Sequence, residues 1–374
     1  MRLFKLFSTT CLIVVLQVLF VLEGKTIQSP KGSEEAVKIG LLIPDLLSGE
    51  ARQGAEMAIK YANEDGGYKG HPFQLVVRSM EGPWGTGSKE AVNQIFEEKV
   101  WAIMGSSDGR NAHLVEQVSA KARIVFLSAW ATDPTLSQAF VPLFFNCVPN
   151  DIQQADALIE EIYNRRKITR LAAISDNDYD SKLALESFVK KAKNDKKTVP
   201  LTFSYDSTTD SFNGVIDKII KANINGIILF GKPSGSLKQI SRIRQRKMTQ
   251  PVFGSLSAIG DNKMSDQELK DLEGAVFVSS GHILGSKGSA FRNEYQKRYG
   301  NIPDAEAAFA YDGMNMLIEA IRDAGLDREM IQKSMAKIHY NGITGPIQFD
   351  DKGNRSGKVS LMEFKNGIPI AVER

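Results

Sequence analysis

Short apolar, β-branched runs alternate with segments of helical period along most of this chain, and that alternation restricts its fold more than any other feature. Val37-Lys-Ile-Gly-Leu-Leu-Ile43 predicts a strand, and from Gly54 to Asn63 the residues Ala55, Ala58, Ile59 and Ala62 recur at helical spacing. Asp65-Gly-Gly67 supplies a glycine stop, Phe73–Val77 a second strand, and Ala91–Lys99 a helix with Val92, Ile95 and Phe96 on one face. Strand Trp101–Met104, a Gly/Ser-rich loop, helix Ala112–Ala122 and strand Ile124–Leu127 continue the series. Strands separated by helices predict an α/β fold on parallel sheet, because a parallel partner strand is reached only by a crossover.

The rhythm pauses at Phe144-Phe-Asn-Cys-Val-Pro-Asn-Asp151 and resumes as a second set. Helices Ile152–Asn164, Lys182–Asn194, Phe212–Ala222 and Leu237–Arg246 are interleaved with strands Leu171–Ile174, Leu201–Tyr205, Gly226–Phe230 and Pro251–Phe253. Beyond them lie strand Ala275–Val278, helix Ala290–Tyr299, a long helix over Ala305–Ala324, and a terminal hairpin region, Pro346–Phe349, Val359–Phe364 and Ile368–Val372. At 374 residues the chain is longer than the roughly 250 to 300 that one core sustains, so two lobes are expected.

Lys+Arg number 47 against 44 Asp+Glu, a formal charge of +3 that carries no concentrated footprint for nucleic acid. The basic runs Lys190–Lys197 and Arg242–Lys247 fall at predicted helix C-termini, where cations complement the dipole on a solvated face. Residues 1–24 have the pattern of a secretory signal peptide: Arg2 and Lys5, then the apolar run Cys11–Leu22, then a polar stretch. The alternative is a retained anchor. Removal of the leader leaves Cys147 alone, so no internal disulfide forms and Cys147 is read as a buried, small apolar residue.

Motifs for catalysis fail on inspection. Gly82-Pro-Trp-Gly-Thr-Gly-Ser-Lys89 imitates a phosphate loop, but Ser88 stands where the lysine is required. His71, His113, His282 and His339 are too dispersed for a helical metal pair. Neither metal nor cofactor is expected. What remains is a set of polar loops after strands, where open parallel sheets bind ligands. Gly105-Ser-Ser-Asp-Gly109 and Ser128-Ala-Trp-Ala-Thr-Asp-Pro134 each precede a predicted helix, and two helix N-termini facing one point would hold a carboxylate. Read singly, Ser107, Asp108, Thr132 and Asp133 are helix caps.

At these residues the chain resembles the branched-chain amino acid (Leu/Ile/Val) receptors of ABC transporters, type I periplasmic solute-binding proteins, over about Val37 to Pro369. The likeness rests on Lys38-Ile-Gly-Leu-Leu-Ile43, Gly54-Ala-Glu-Met-Ala58, Ala131-Thr-Asp-Pro134, Val148-Pro-Asn-Asp151 with Gln154, Ala310-Tyr-Asp-Gly313 and Gly342-Ile-Thr-Gly-Pro346 leading to Phe349-Asp350. It implies an N-terminal lobe of residues 37–146 plus 281–345 and a C-terminal lobe of 147–280 plus 346–374, joined by crossings near Asn146–Pro149, Val278–Gly281 and Gly345–Gln348. It further implies two Rossmann-like lobes closing on a small amino-acid-like or amide-like solute, held by Ser106, Ser107, Asp108 and Gly109, by Ala131 and Thr132, and by Tyr179 or Asp180 in the loop Asp176–Asp180; Ser128, Ala129, Trp130 and Asp178 in the same loops, and Trp84 after the second strand, are added as candidates by position, the two tryptophans for stacking or cation–π contact against simple packing. A membrane permease is the implied partner, the protein is expected to be monomeric and periplasmic, and the rivals are a sensor-coupled binding protein and a hydrolase on the same fold.

Two departures bear on the ligand. The loop Asp45–Arg52 is short, and after strand Pro251–Phe253, where the family often places an acidic residue for a ligand ammonium, the chain reads Gly254-Ser-Leu-Ser257. An amino acid ligand would therefore need another carboxylate, such as Asp108, Asp178 or Asp180, because an unpaired buried ammonium is costly.

Overall fold

A computed structural model describes residues 35–46, 49–105, 108–138, 141–209, 211–260 and 264–373. The expected leader, Ser106 and Ser107, and part of the loop after the first strand lie outside them.

Two parallel-dominated sheets carry the chain from Val37 onward. The first has five parallel strands: β1 (Val37–Ile43), β2 (Phe73–Ser79), β3 (Ala102–Gly105), β4 (Val125–Ser128) and β5 (Phe144–Asn146), in the order β2-β1-β3-β4-β5. Between them run α1 (Glu50–Glu64), α2 (Thr86–Val92), α3 (Gly109–Ala122) and a four-residue turn, α4 (Thr135–Gln138). Alternation along each strand divides the sheet's side chains between two helical layers. Ile39, Leu41 and Ile43 face α1, whereas Leu42, Ile103 and Phe126 face α2 and α3.

The second sheet repeats the plan. After α5 (Asp151–Ile159), strands β6 (Leu171–Asp176), β7 (Leu201–Tyr205), β8 (Gly226–Phe230), β9 (Val252–Gly254) and β10 (Val276–Val278) are parallel, in the order β7-β6-β8-β9-β10. Helices α6 (Tyr179–Asn194), α7 (Phe212–Lys221), α8 (Pro233–Gln245) and α9 (Asp266–Asp271) connect them. The chain then forms α10 (Ser286–Tyr299) and α11 (Ala305–Ala324), which packs on α1, followed by α12 (Arg328–Ala336). Gly54 permits that packing, since a Cβ there would lie 2.2 Å from the Ala307 carbonyl oxygen. A hairpin of β11 (Tyr340–Gly342) and β12 (Gly345–Ile347) precedes β13 (Leu361–Lys365) and β14 (Ile368–Ala371), two antiparallel strands that extend the second sheet at β10.

Segments after β5, after β10 and after β12 carry the chain between the two sheets. Arg355 joins the first of them to the β11–β12 hairpin, its guanidinium donating to the carbonyl oxygens of Cys147 (3.1 Å), Thr344 (2.7 Å) and Pro346 (3.2 Å). Asp312, fully buried in α11, accepts from the Thr344 N–H (2.8 Å) and hydroxyl (2.6 Å) and from the Ile343 N–H (3.0 Å), which fixes the hairpin. Cys147 is buried as expected.

Three details differ from the sequence expectation. The helix over Ala91–Lys99 is instead α2 followed by a π turn, Asn93–Glu97, which points Gln94 inward to donate to the Leu41 (3.1 Å) and Val76 (2.8 Å) carbonyls. That extra residue per turn breaks the expected apolar face: Ile95 is buried, whereas Val92 and Phe96 are exposed. The pause near Phe144 contains a fifth strand, and α12 went unmarked by its sequence.

Candidate functional site

A parallel sheet binds at its switch point, where neighbouring strands are followed by connections to opposite faces and a crevice opens at their carboxyl ends. The order β2-β1-β3 puts that point beside β3 in the first sheet, and β7-β6-β8 puts it beside β6 in the second. The loop after β3 leads to Asp108 and Gly109, and the loop after β6 to Asp178, Tyr179 and Asp180. The structure brings these two loops together: the Gly109 N–H donates to Asp180 Oδ1 at 3.0 Å.

Each helix here is capped by its own aspartate. Asp108 accepts from the Asn111 N–H (2.9 Å) at the start of α3, and Asp178 accepts from the Ser181 N–H (3.0 Å) and hydroxyl (2.6 Å) at the start of α6. Asp180, needed by neither cap, reaches across. Gly109 allows the approach, for a Cβ there would lie 2.7 Å from Asp133 Oδ2 and 3.1 Å from Asp180 Oδ1.

The loop after β4 completes the cluster. Asp133, buried, accepts from the Thr135 N–H (2.8 Å) and hydroxyl (2.6 Å) through Oδ1, and through Oδ2 from the Tyr179 hydroxyl (3.1 Å), with His113 Nε2 3.2 Å away. Its hydrogen bonds with His113 and Thr135 outweigh burial and hold its carboxyl below the usual range. His113 is pushed up to about 9 by hydrogen bonds to Asp133 and then to Glu116. Asp151, 4% exposed, donates its N–H to the Thr132 carbonyl at 2.8 Å. Burial, and then Asp180 and Asp133, push its carboxyl well above the ordinary range despite the Thr132 hydroxyl hydrogen-bonded to it. Its Oδ2 has no hydrogen-bond partner. Asp180 is raised to about 6, chiefly by burial, with Asp108, Asp178 and Asp133 adding to it against the Gly109 N–H.

The expected anion seat formed by two helix N-termini takes a different form. The loop 128–134 leads into a four-residue turn, too short for a helix dipole; within it the Ala131 N–H donates to Ser128 Oγ (3.2 Å), and the Thr135 N–H, at the start of the turn, donates back to Asp133. Ser128, Ala129 and Ala131 are buried in the wall, and Thr132 is half-buried beside Asp151. Trp130 packs on Phe309 of α11, ring centroids 6.2 Å apart. Trp84 stands 72% exposed in the loop between the edge strand β2 and α2. Tyr179 is 37% exposed, with the Arg110 guanidinium 5.5 Å from its ring. Asp133, Asp151 and His113 escaped the sequence expectation as site residues. The first two lie beside Thr132 or at the end of Val148–Asp151, where cap propensity alone accounted for them. Gly254–Ser257 offers no carboxylate: Leu256 is buried and its N–H donates to Gln154 Oε1 at 2.9 Å.

A duplicated parallel-sheet fold with polar loops meeting at both switch points defines an α/β solute-binding protein. Residues 36–367 match the family described as Periplasmic binding protein, and the chain belongs to it. Over 332 residues it is 24% identical to the Leu/Ile/Val-binding protein homolog 1 of Brucella suis, covering 85% of this chain and 87% of that protein. Its fold is similar to that of LivJ from Streptococcus pneumoniae, a branched-chain amino acid transporter substrate binding protein solved with isoleucine, at a TM-score of 0.79, 18% identity, 91% of this chain and 100% of that one. A solute binding protein of an ABC transporter from R. palustris, solved with benzoate, gives a TM-score of 0.78 at 17% identity over 90% of this chain and 96% of its own. The family is one of extracytoplasmic solute-binding proteins.

Proposed function

We propose that this chain is the exported receptor of an ABC importer, taking a small amino-acid-like or amide-like solute between two lobes and presenting it to a membrane permease. In this reading the lobes are residues 37–146 plus 281–345 and 147–280 plus 346–374, residues 1–24 are the export leader, and the receptor works as a monomer without catalysis. The observation that carries it is the meeting of the two switch-point loops at the Gly109–Asp180 hydrogen bond, 3.0 Å. Ligand contacts would come from the loop 106–109, from Ser128–Thr132 and from Asp178–Asp180, with Asp133 and Asp151 added. The three crossings would act as the hinge, with Arg355 holding the first to the β11–β12 hairpin. A solute bridging both lobes then shifts the population towards the closed state.

The test is a thermal-shift screen of the mature protein against amino acids, amino amides, amines, urea and aromatic carboxylates, with X-ray scattering on any hit. A solute at 100 times its Kd adds about 2.7 kcal/mol of stability. A hit that also contracts the radius of gyration is the expected result. A hit without contraction refutes hinge closure, and silence across the whole panel refutes the receptor assignment.

A further inference from the structure

Asp180 is the cluster residue that local structure explains least. Asp178 already caps α6, so Asp180, in the first turn, is not needed as a cap and could serve the helix dipole from solvent. Its carboxyl instead crosses to α3 and accepts the Gly109 N–H at 3.0 Å, among carboxylates that repel it: Asp108, Asp133, Asp151 and Asp178. With the Asn111 N–H taken by Asp108, the first turn of α3 is occupied by the chain's own oxygens.

A second, independent observation concerns what is missing a partner. Asp151 is 4% exposed, its Oδ2 accepts no hydrogen bond, and the groups that face it are Asp180 and Asp133. The cations nearby are engaged: His113 between Asp133 (3.2 Å) and Glu116 (3.5 Å), and Arg110 over the Tyr179 ring. Among the described residues no group of three His, Cys, Asp or Glu is arranged to hold a metal ion, which favours a nitrogen cation over a metal as the counter-charge.

We propose that Asp180 is a specificity-determining residue: it is an internal carboxylate that fills the anion seat at the start of α3, so the solute taken here is an organic ammonium without a free carboxylate, an amine or an amino amide. The inference rests on the receptor reading above. A ligand carboxylate would have to displace Asp180 from Gly109 and then lie against the ionised Asp133, a like charge in a confined cleft, with the Asp151 carboxyl beside it. An ammonium brings up to three N–H donors to a place where Asp151 Oδ2, which has no partner, and the Asp180 carboxylate can accept them.

The experiment is calorimetric titration of mature wild type, Asp180→Gly and Asp180→Asn with matched probes: leucine against leucinamide and 3-methylbutylamine, and benzoate against benzylamine, with calcium chloride as a metal control. Wild type is expected to bind at least one amine tenfold or more tightly than its matched carboxylate. Asp180→Gly, which vacates the seat, is expected to shift that ratio tenfold or more towards the carboxylate. Asp180→Asn keeps the shape while removing the charge, and should lower amine affinity tenfold even if the glycine variant fails to fold. Leucine or benzoate binding wild type as tightly as its amine partner overturns the proposal and leaves the receptor reading standing. So does a ratio that neither variant moves, and so does calcium binding with no amine bound. Binding of no probe by any of the three proteins overturns the receptor reading itself.

Discussion

Replacing Asp180 by Asn should stabilise the protein, and only above a defined pH. Burial, and then the carboxylates of Asp108, Asp178 and Asp133, hold Asp180 at about 6 instead of 3.8, opposed by the Gly109 N–H. Because the folded pKa is the higher one, the native state binds more protons than the unfolded chain between about pH 4 and 6, so stability falls as pH rises through that interval. The gap of about two pH units corresponds to about 3 kcal/mol of lost stability once both states are ionised. Asparagine keeps an acceptor for the Gly109 N–H but gives up the charge assistance, worth about 1 kcal/mol, which leaves a net gain of about 2 kcal/mol. For a folded region of this length that is a rise of about 3 °C in Tm. Urea denaturation of both proteins at pH 7.5 and pH 4.0 measures it: the midpoint of the variant should be higher at the first and equal at the second. An equal gain at both pH values would assign the effect to packing, and a loss at pH 7.5 would refute the charge argument outright.

Three further changes follow from the same geometry. His113→Gln should cost about 1 to 2 kcal/mol at pH 6, after allowance for solvent screening, because His113 is raised to about 9 by Asp133 and Glu116; that difference should vanish as pH rises through 9, which denaturation at pH 6 and 10 would show. Gly109→Ala places a Cβ 2.7 Å from Asp133 Oδ2 and should destabilise by about 1 to 3 kcal/mol while releasing the residue-109 amide to faster hydrogen exchange, and unchanged protection there would contradict the 3.0 Å bond to Asp180. Arg355→Met removes the donors serving the Cys147, Thr344 and Pro346 carbonyls and should lower stability by about 3 kcal/mol or more in urea denaturation.

The repeated α/β plan was legible because each strand and helix advertises itself within about a dozen residues. Val37–Ile43, Leu201–Tyr205, Gly226–Phe230 and Ala305–Ala324 have the bounds the sequence predicts, each an uninterrupted pattern of one period. The misses have local causes. Phe144–Asn146 is three residues long and is a strand only because β4 lies beside it. The π turn at Asn93–Glu97 exists because Gln94 serves two strand carbonyls, a tertiary demand that helical periodicity does not register.

The site was legible as loops but not as chemistry, and Asp180 shows why. Position 180 lies in the first turn of a helix, where an acidic side chain is the ordinary consequence of the dipole and predicts nothing about a partner. Its significance arises only when the order β7-β6-β8 sets α6 against the start of α3, 71 residues earlier in the chain. The same holds for Asp133 and Asp151: each satisfies a local rule at a helix start or turn, and each acquires a second role from neighbours brought by the fold. Local rules assign the backbone N–H groups correctly, as at Asp108 and Asp178. What they leave out is where a carboxylate goes when the cap is already filled. In this fold it goes to the opposite loop, and on the proposed receptor reading the acidic residue that the Gly254–Ser257 segment lacks would be answered by carboxylates gathered from three other loops.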